Sequence, residues 1–308
     1  SSKFHKLFGH EPRNPKQEQL TQFHMDIAAS IQKVTENIMI SLSKSIQKEY
    51  NIKNLCLAGG VALNCVANGK IQKSNIFKQI WIQPASGDAG GAIGSALAVW
   101  HSHLKNNKIN EYDSMQGSYL GIEFNEIEVV KTLDKLGAKY KIFKNHSDVS
   151  KYIAKELSSE KAVGWFQGKM EFGPRALGNR SIIGDPRSET MQKNLNLKIK
   201  FRESFRPFAP SVLSDQVGKW FELNKESPYM LLVSKIKKNL RIPMTLEQEN
   251  LFGIEKLNIK RSTVPAITHV DYTARIQTVH KETNEKYYNL INKFFELSGC
   301  PILVNTSF

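Results

Sequence analysis

Cysteine is scarce in this 308-residue chain, and the three present, Cys56, Cys65 and Cys300, follow no metal-ligand spacing. So few, and an odd number, argue against a disulfide framework. No apolar run is long enough to span a bilayer, and no charged-then-apolar signal segment opens the chain. The cytoplasm is the expected location, with no membrane partner. Zinc-finger spacing, a basic zipper and RNP-type aromatic motifs are absent. Acidic residues are also in short supply, 29 against 43 Lys and Arg, for a net charge of +14. That excess raises nucleic acid as a partner, although a lysine-rich solvated surface explains much of it. A small anionic ligand such as a nucleotide fits the local clustering better than a DNA groove does.

Hydrophobic residues make up 40% and charged residues 23%, as in soluble globular chains. The length suits two domains. Residues 15–50 read as one or two helices, because Leu20, Phe23, Ile27, Ile31, Val34, Ile38, Leu42 and Ile46 recur at steps of three and four. This stripe is expected to pack in the core. A strand over 55–58, a helix over 61–74, a strand over 79–83 and a helix over 92–100 follow, which indicates α/β construction. The polar, aperiodic stretch 103–117 is the expected domain boundary. Beyond it, strands are expected at 118–121, 139–143, 161–166, 208–213, 229–236, 275–279 and 301–304, with helices at 125–137, 147–158 and 189–198. The stretch 237–262 is charged and irregular. The chain opens on Ser1-Ser2 and stops at Phe308, directly after a strand-like run, which reads as a piece excised from a longer protein.

The most informative segment is Gly168-Lys169-Met170-Glu171-Phe172-Gly173-Pro174-Arg175-Ala176-Leu177-Gly178-Asn179-Arg180-Ser181. Glycine lets backbone N–H groups approach an anion, and arginine presents a planar fork that matches two oxygens at once. A second basic cluster runs from Lys198 to Phe208. Between Lys161 and Arg206 there are ten Lys and Arg and four Asp and Glu. Arg187 and Lys193 read as solvated surface. Arg202 and Arg206 lie four apart and share a face if helical, with Phe201, Phe205 and Phe208 burying the other side. Glu203 suits orienting an arginine as well as chemistry. Gly59-Gly60 carries a strand into a helix start, a place that attracts phosphate, though a tight turn needs the same residues. Asp88, in a glycine-rich loop before a helix, suits either a metal or a helix cap. His269, within Thr268-His269-Val270-Asp271-Tyr272-Thr273-Ala274-Arg275, suits proton transfer or donation to a substrate oxygen. Asn305-Thr306-Ser307-Phe308 forms a polar tip after a buried strand.

Taken in order, Leu57–Asn64, Gly87–Ala92, Gly173–Ser181, Phe201–Pro210, Thr268–Asp271 and Asn305–Phe308 resemble the O-carbamoyltransferase family, which includes nodulation-factor and antibiotic carbamoyltransferases. The match covers nearly all of the chain from about residue 15. The resemblance implies an α/β fold in two parts. Residues 1–112 would be the C-terminal part of an actin/Hsp70-like (ASKHA) carbamoyl-transfer domain. Residues 113–308 would be a YrdC-like α/β domain, shortened at its end, that makes carbamoyl adenylate from carbamoyl phosphate and ATP. The carbamoyl group would then pass to a hydroxyl of a small-molecule acceptor, with a bound metal, iron in the well-described relatives, and with Mg accompanying ATP.

By the same resemblance, Lys169, Arg175, Arg180, Arg202, Arg206 and His269 are the catalytic candidates. Gly59, Gly60, Asn64, Asn179, Ser181, Arg275, Asn305 and Thr306 are the candidates for nucleotide and carbamoyl phosphate binding, and Asp88 for the metal. The two histidines that would complete that metal site fall upstream, and His5, His10 and His24 lack the His-x-x-x-His context. Two other readings stand beside this one: tRNA threonylcarbamoyl transfer, which the +14 charge favours, and a non-catalytic nucleotide- or RNA-binding module. The acceptor and the oligomeric state are not encoded in any motif.

Overall fold

A computed structural model describes residues 2–15, 17–107, 113–251 and 253–308. Helices α1 (Ser2–Phe8) and α2 (Gln22–Tyr50) come first. At the start of α2 the Thr21 N–H donates to His24 Nδ1, and Asn51, at φ 50°, ends it in the left-handed region. Strand β1 (Asn54–Leu57) passes through a tight 3₁₀ turn at 60–63 into α3 (Cys65–Lys73). Asn64 caps α3, its Oδ1 accepting from the Ala67 N–H at 3.1 Å. Strand β2 (Gln79–Ile82) pairs parallel with β1, as a crossover through a helix requires. Helix α4 (Ala89–Leu97) follows and widens into a π-helical turn at Ala98–His103.

The remainder surrounds a six-stranded mixed sheet. Its strands are β3 (Val163–Phe166), β4 (Arg180–Gly184), β5 (Ala209–Leu213), β6 (Leu232–Lys235), β7 (Thr273–Val279) and β8 (Ile302–Thr306), ordered β3-β4-β8-β5-β7-β6. Only β5 and β7 pair in parallel. Around it lie α5 (Glu126–Lys135), α6 (His146–Ser158), the one-turn helices α7 (Met191–Asn194), α8 (Val217–Trp220), α9 (Leu246–Glu249) and α10 (Ile254–Leu257), and finally α11 (Glu285–Ser298). Helix α11 buries Tyr287, Leu290, Ile291 and Phe294, one face at steps of three and four. Asn284 caps its start and Gly299, at φ 70°, its end. Together with Ile183, Val212, Ile276 and Leu303 this face forms the main core.

The mixed α/β construction agrees with the sequence, but several elements differ. No strand forms over 118–121, where a 3₁₀ turn at Gln116–Ser118 runs into irregular chain, or over 139–143. Helix α11 and strand β4 were not anticipated. The apolar stripe of α2 does not enter a core: Ile31, Val34, Ile38, Leu42 and Ile46 are exposed. The face of α2 turned toward α3 carries Met39 and Ile40, packed on Leu55, Ile71 and Phe77, beside a buried Glu36 that accepts from Lys70 and from Gln32 Nε2. The expected domain boundary falls in a stretch of which residues 108–112 lie outside the described residues.

The first part of the chain packs directly on the sheet. Ala62 and Ile82 share a buried cluster with Leu177, Ala209, Met230 and Leu231. Asn68, fully buried on α3, donates from Nδ2 to the Ala62 and Leu231 carbonyls at 2.8 and 3.1 Å. Gly69 of α3 meets β6 so closely that a Cβ would sit 2.9 Å from Val233 Cγ2 and 3.0 Å from the Val233 carbonyl oxygen. Two effects compete in Gly69→Ala. Alanine favours helix by about 1 kcal/mol, whereas overpacking against a backbone atom costs about 1–3 kcal/mol. Part of the contact is with the Val233 main chain, which cannot turn aside, so the steric cost wins by about 1 kcal/mol, and Gly69→Ala is expected to lower Tm by about 1–3 °C in a calorimetric melt.

Candidate functional site

The basic motif between β3 and β4 is held by an acid. Glu171 is 7% exposed, and its Oε1 accepts the backbone N–H groups of Leu177, Asn179 and Arg180 at 2.7, 2.9 and 3.2 Å. This closes residues 171–180 into a compact loop. Gly178, at φ 106°, lies flat against the buried Tyr287 ring, where a Cβ would meet ring atoms at 2.2 Å. The Leu177 carbonyl accepts from Tyr119 Oη and from Gln277 Nε2, both at 2.8 Å. The loop also reaches the first part of the chain: Arg175 Nη2 donates to the Leu63 carbonyl at 3.1 Å.

Beside this loop is a cavity of about 500 Å³, within the usual size range for small-molecule sites. Arg175, Lys200, Arg202, Arg206 and Arg275 line it, with His269, and no Asp or Glu among the described residues does. Strand β7 supplies Arg275, the turn before β7 supplies His269, and the end of β8 supplies Asn305, Thr306 and Ser307. Cys65 and Val66, at the start of α3, form the wall from the first part of the chain. Of the five cations only Arg206 has a carboxylate partner among the described residues, Glu203 at 2.9 Å. Arg202 Nε donates to Asn196 Oδ1 at 2.7 Å, and its guanidinium lies over the Phe208 ring.

The crowding shows in proton affinities. Burial, together with the Arg175 and Arg202 cations, pushes the Arg275 guanidinium down to about 10. Arg175 is lowered by burial, Arg202 by burial and by Arg206, and Lys200 by burial and by Arg202. Burial alone would raise the Asp271 carboxyl. Hydrogen bonds from His269 and from the hydroxyl and N–H of Thr273 outweigh it and hold Asp271 well below the usual carboxylate range. Asp271 Oδ1 lies 3.4 Å from His269 Nδ1.

Of the sequence-derived candidates, the structure brings Arg175, Arg202, Arg206, His269, Arg275, Asn305 and Thr306 together at this cavity. The rest lie elsewhere. Arg180 turns to the outer side of the loop, where Nη1 and Nη2 donate to the carbonyls of Gln167, Asn179, Ile122 and Gly168 and the guanidinium stacks 3.6 Å above Phe166. Lys169 is exposed and does not line the cavity. Asn179 and Ser181 are buried and satisfied within the loop network: Asn179 Nδ2 donates to the Lys169 carbonyl, and Ser181 Oγ accepts from the Gly178 N–H. Asn64 is a helix cap that also pairs its side-chain amide with Gln32.

Gly59, Gly60 and Asp88 occupy a separate, open place at the carboxyl ends of the parallel β1 and β2, where the Gly59 N–H donates to the Ser86 carbonyl at 2.7 Å. The Asp88 side chain makes no capping bond to α4. No three His, Cys, Asp or Glu side chains come together as metal ligands among the described residues, so Asp88 with its neighbours here does not amount to an iron site.

Two local expectations are corrected. Residues 202–206 are not helical. Phe201 has φ 47° and its ring is 85% exposed, a left-handed conformation uncommon for a bulky residue. That kink lets its neighbours Lys200 and Arg202 both face the cavity. Arg187, rather than standing free in solvent, chelates the buried Asp185 carboxylate through Nε and Nη2. Sequence reasoning passed over Lys200, Cys65 and Glu171 as site residues. An acid inside an otherwise basic glycine-rich motif was the available signal for Glu171.

The mixed α/β chain thus presents a cavity lined by five Lys and Arg side chains, an arrangement suited chemically to an anion. Family models for the carbamoyltransferase N-terminus and C-terminus match residues 1–97 and 154–308, and the chain belongs to the carbamoyltransferase family. It is 58% identical over its whole length to an uncharacterized protein of Synechocystis, of which it covers 50%. It is 39% identical to the nodulation protein NolNO of Sinorhizobium fredii, with 94% of this chain and 39% of that protein aligned. Against the nodulation protein NolO of Bradyrhizobium diazoefficiens the identity is 37%, with 94% and 49% aligned. The chain thus spans about half the length of these relatives or less. No helix among the described residues is long and apolar enough to cross a membrane.

Two variants separate binding from folding. Below about pH 10, Arg275 carries its charge in the folded chain against the opposition of its neighbours, so the charge costs stability there; the cost fades only as pH rises toward the unfolded value. Arg275→Met is therefore expected to raise the Tm of the ligand-free chain by about 2 °C while weakening binding of inorganic phosphate, read by calorimetry. Gly178→Ala combines a left-handed φ with a clash on Tyr287. It is expected to cost about 3 kcal/mol or more in urea unfolding.

Proposed function

We propose that this chain is the activating part of an O-carbamoyltransferase, and that the cavity between Arg175, Arg202, Arg206 and Arg275 is where the carbamoyl group is activated. Carbamoyl phosphate, ATP and water would give carbamoyl adenylate, pyrophosphate and inorganic phosphate. The adenylate would then carbamoylate a hydroxyl of a small-molecule acceptor and release AMP. The observation that carries this reading is the set of five Lys and Arg side chains around one cavity, with no carboxylate in its lining among the described residues. Bringing two phosphate compounds together requires cations that offset their mutual repulsion and the charge that develops as the phosphoryl bond breaks.

Roles follow from position. Arg175, held by the Leu63 carbonyl, and Arg206, held by Glu203, are fixed donors. Arg275 and Lys200 supply charge from the strand and the kink. His269, oriented by Asp271, is placed to donate to a departing phosphate oxygen. The open turn at Gly59, Gly60 and Asp88 stands apart, at the strand ends where α/β sheets bind ligands, and is the better place for later transfer to the acceptor. Iron and Mg remain part of the proposal only through the resemblance. The membership of nodulation proteins among the relatives favours a small-molecule acceptor over tRNA.

Carbamoyl phosphate-dependent ATP–pyrophosphate exchange tests this in the longer protein. Arg175→Ala and Arg206→Ala are each expected to lower the exchange rate by about 10²–10³-fold, the usual effect of losing one charge-stabilising donor. Near-normal exchange in both rejects the assignment of this cavity.

A further inference from the structure

Arg202 and Arg206 reach the cavity from a stretch without regular structure. Residues 201–206 lie outside helix and strand, and Phe201 is left-handed. Such a stretch gives two long cationic side chains no frame of its own. The frame comes from a residue shortly before it. Asn196, 0% exposed, sits in the π-helical turn Leu195–Ile199. Its Oδ1 accepts from Arg202 Nε at 2.7 Å, and its Nδ2 donates to the Ser204 and Arg206 carbonyls at 3.0 and 2.8 Å. Its own carbonyl accepts the Arg202 N–H at 3.0 Å. These partners fix the orientation of the amide, because a carbonyl only accepts and a guanidinium only donates. One turn earlier, Gln192 Nε2 adds bonds to the Phe205 and Arg206 carbonyls at 3.3 and 3.2 Å.

Arg202 is thereby held at Nε, with the Phe208 ring against its guanidinium. Among the described residues no hydrogen bond engages its Nη1 or Nη2, and those nitrogens can match two oxygens of an anion. The acceptor that holds Nε is also neutral. A carboxylate in its place would aim the arginine equally well and cancel its charge, as Asp185 does for Arg187. We infer that Asn196 is a positioning residue of the cavity: it aims Arg202 and pins the main chain that carries Arg206, and it does so without subtracting positive charge. Asn196 is fully buried and does not line the cavity, so it acts through those two residues. This rests on the reading of the cavity as a site for phosphate compounds given above.

The test is a double-mutant cycle read by calorimetric titration of inorganic pyrophosphate into this chain, with thermal melts to show that each variant is folded. Asn196→Ala is expected to weaken binding about tenfold, the usual effect of losing a hydrogen bond to a charged group. In an Arg202→Met background the same change is expected to cost less than about threefold, because the side chain it aims is gone. In an Arg175→Met background, on a different loop, it is expected to cost about tenfold again. Equal factors in all three backgrounds, or no loss in any, make Asn196 a purely structural residue and leave the cavity reading standing. If pyrophosphate does not bind the wild-type chain, the cavity reading itself fails and takes the inference with it. A second measurement needs no substitution at Asn196. In ¹⁵N spectra of the wild-type chain, the Arg202 Nε–H, assigned by its loss in Arg202→Met, is expected to be protected from exchange. It is expected to stay so when pyrophosphate is added, while the Nη signals shift. An Nε–H that exchanges as freely as an exposed arginine's, or Nη signals that do not respond, overturns the proposal even if Asn196→Ala does not fold.

Discussion

The site depends on one buried carboxylate. Glu171 sits inside the most basic motif of the chain, yet the groups it binds are three main-chain N–H donors. Had it formed a side-chain ion pair, it would have taken a cation from the ligand. By binding the backbone, it fixes the loop and leaves the arginines free to point where loop geometry sends them. Arg175 goes inward to the cavity and Arg180 outward to a cage of carbonyls. Charge-assisted hydrogen bonds of this kind are stronger than neutral ones, which suits a loop that must hold a cation close to others of its own sign.

The cavity is a case of stability given up locally and recovered elsewhere. Arg275 is pressed by Arg175 and Arg202, and among the described residues no acid in the lining relieves them. The folded chain supports this because the surrounding frame is rigid. The central strands β5 and β8 are buried along nearly their whole length. Helix α11 lays Tyr287 and Phe294 against the core, and a network of Asn179, Asn284, Gln167 and Tyr119 ties the base of the loop to the start of that helix. A site so arranged is preorganised: its donors are already in place.

Much of this was legible in the residues, and the failures share a cause. The motif around Arg175 and the cluster around Arg206 announced themselves by composition, and Arg275 and Asn305 by their place in ordered motifs. Sequence spacing does not say on which side of a loop a side chain emerges, so Arg175 and Arg180 looked equivalent. Lys200 reached the cavity only through the left-handed kink at Phe201, a conformation no propensity favours. The stripe on α2 was read correctly as periodic and wrongly as buried, because periodicity locates a face but does not supply the surface that covers it. Helix α11 had the same periodicity and a capping Asn284, signals as strong as those of helices that were recognised.

The contact of Gly69 with Val233 has a wider consequence. A helix best served at one position by the smallest residue is keyed to the particular strand it lies on. The wall formed by Cys65 and Val66 belongs to that same helix, so the outline of the ligand chamber is written jointly by two distant stretches of the gene. A chimera that joins the front of one relative to the back of another must therefore transplant both sides of this fit, or it will inherit the right arginines around the wrong-shaped hollow.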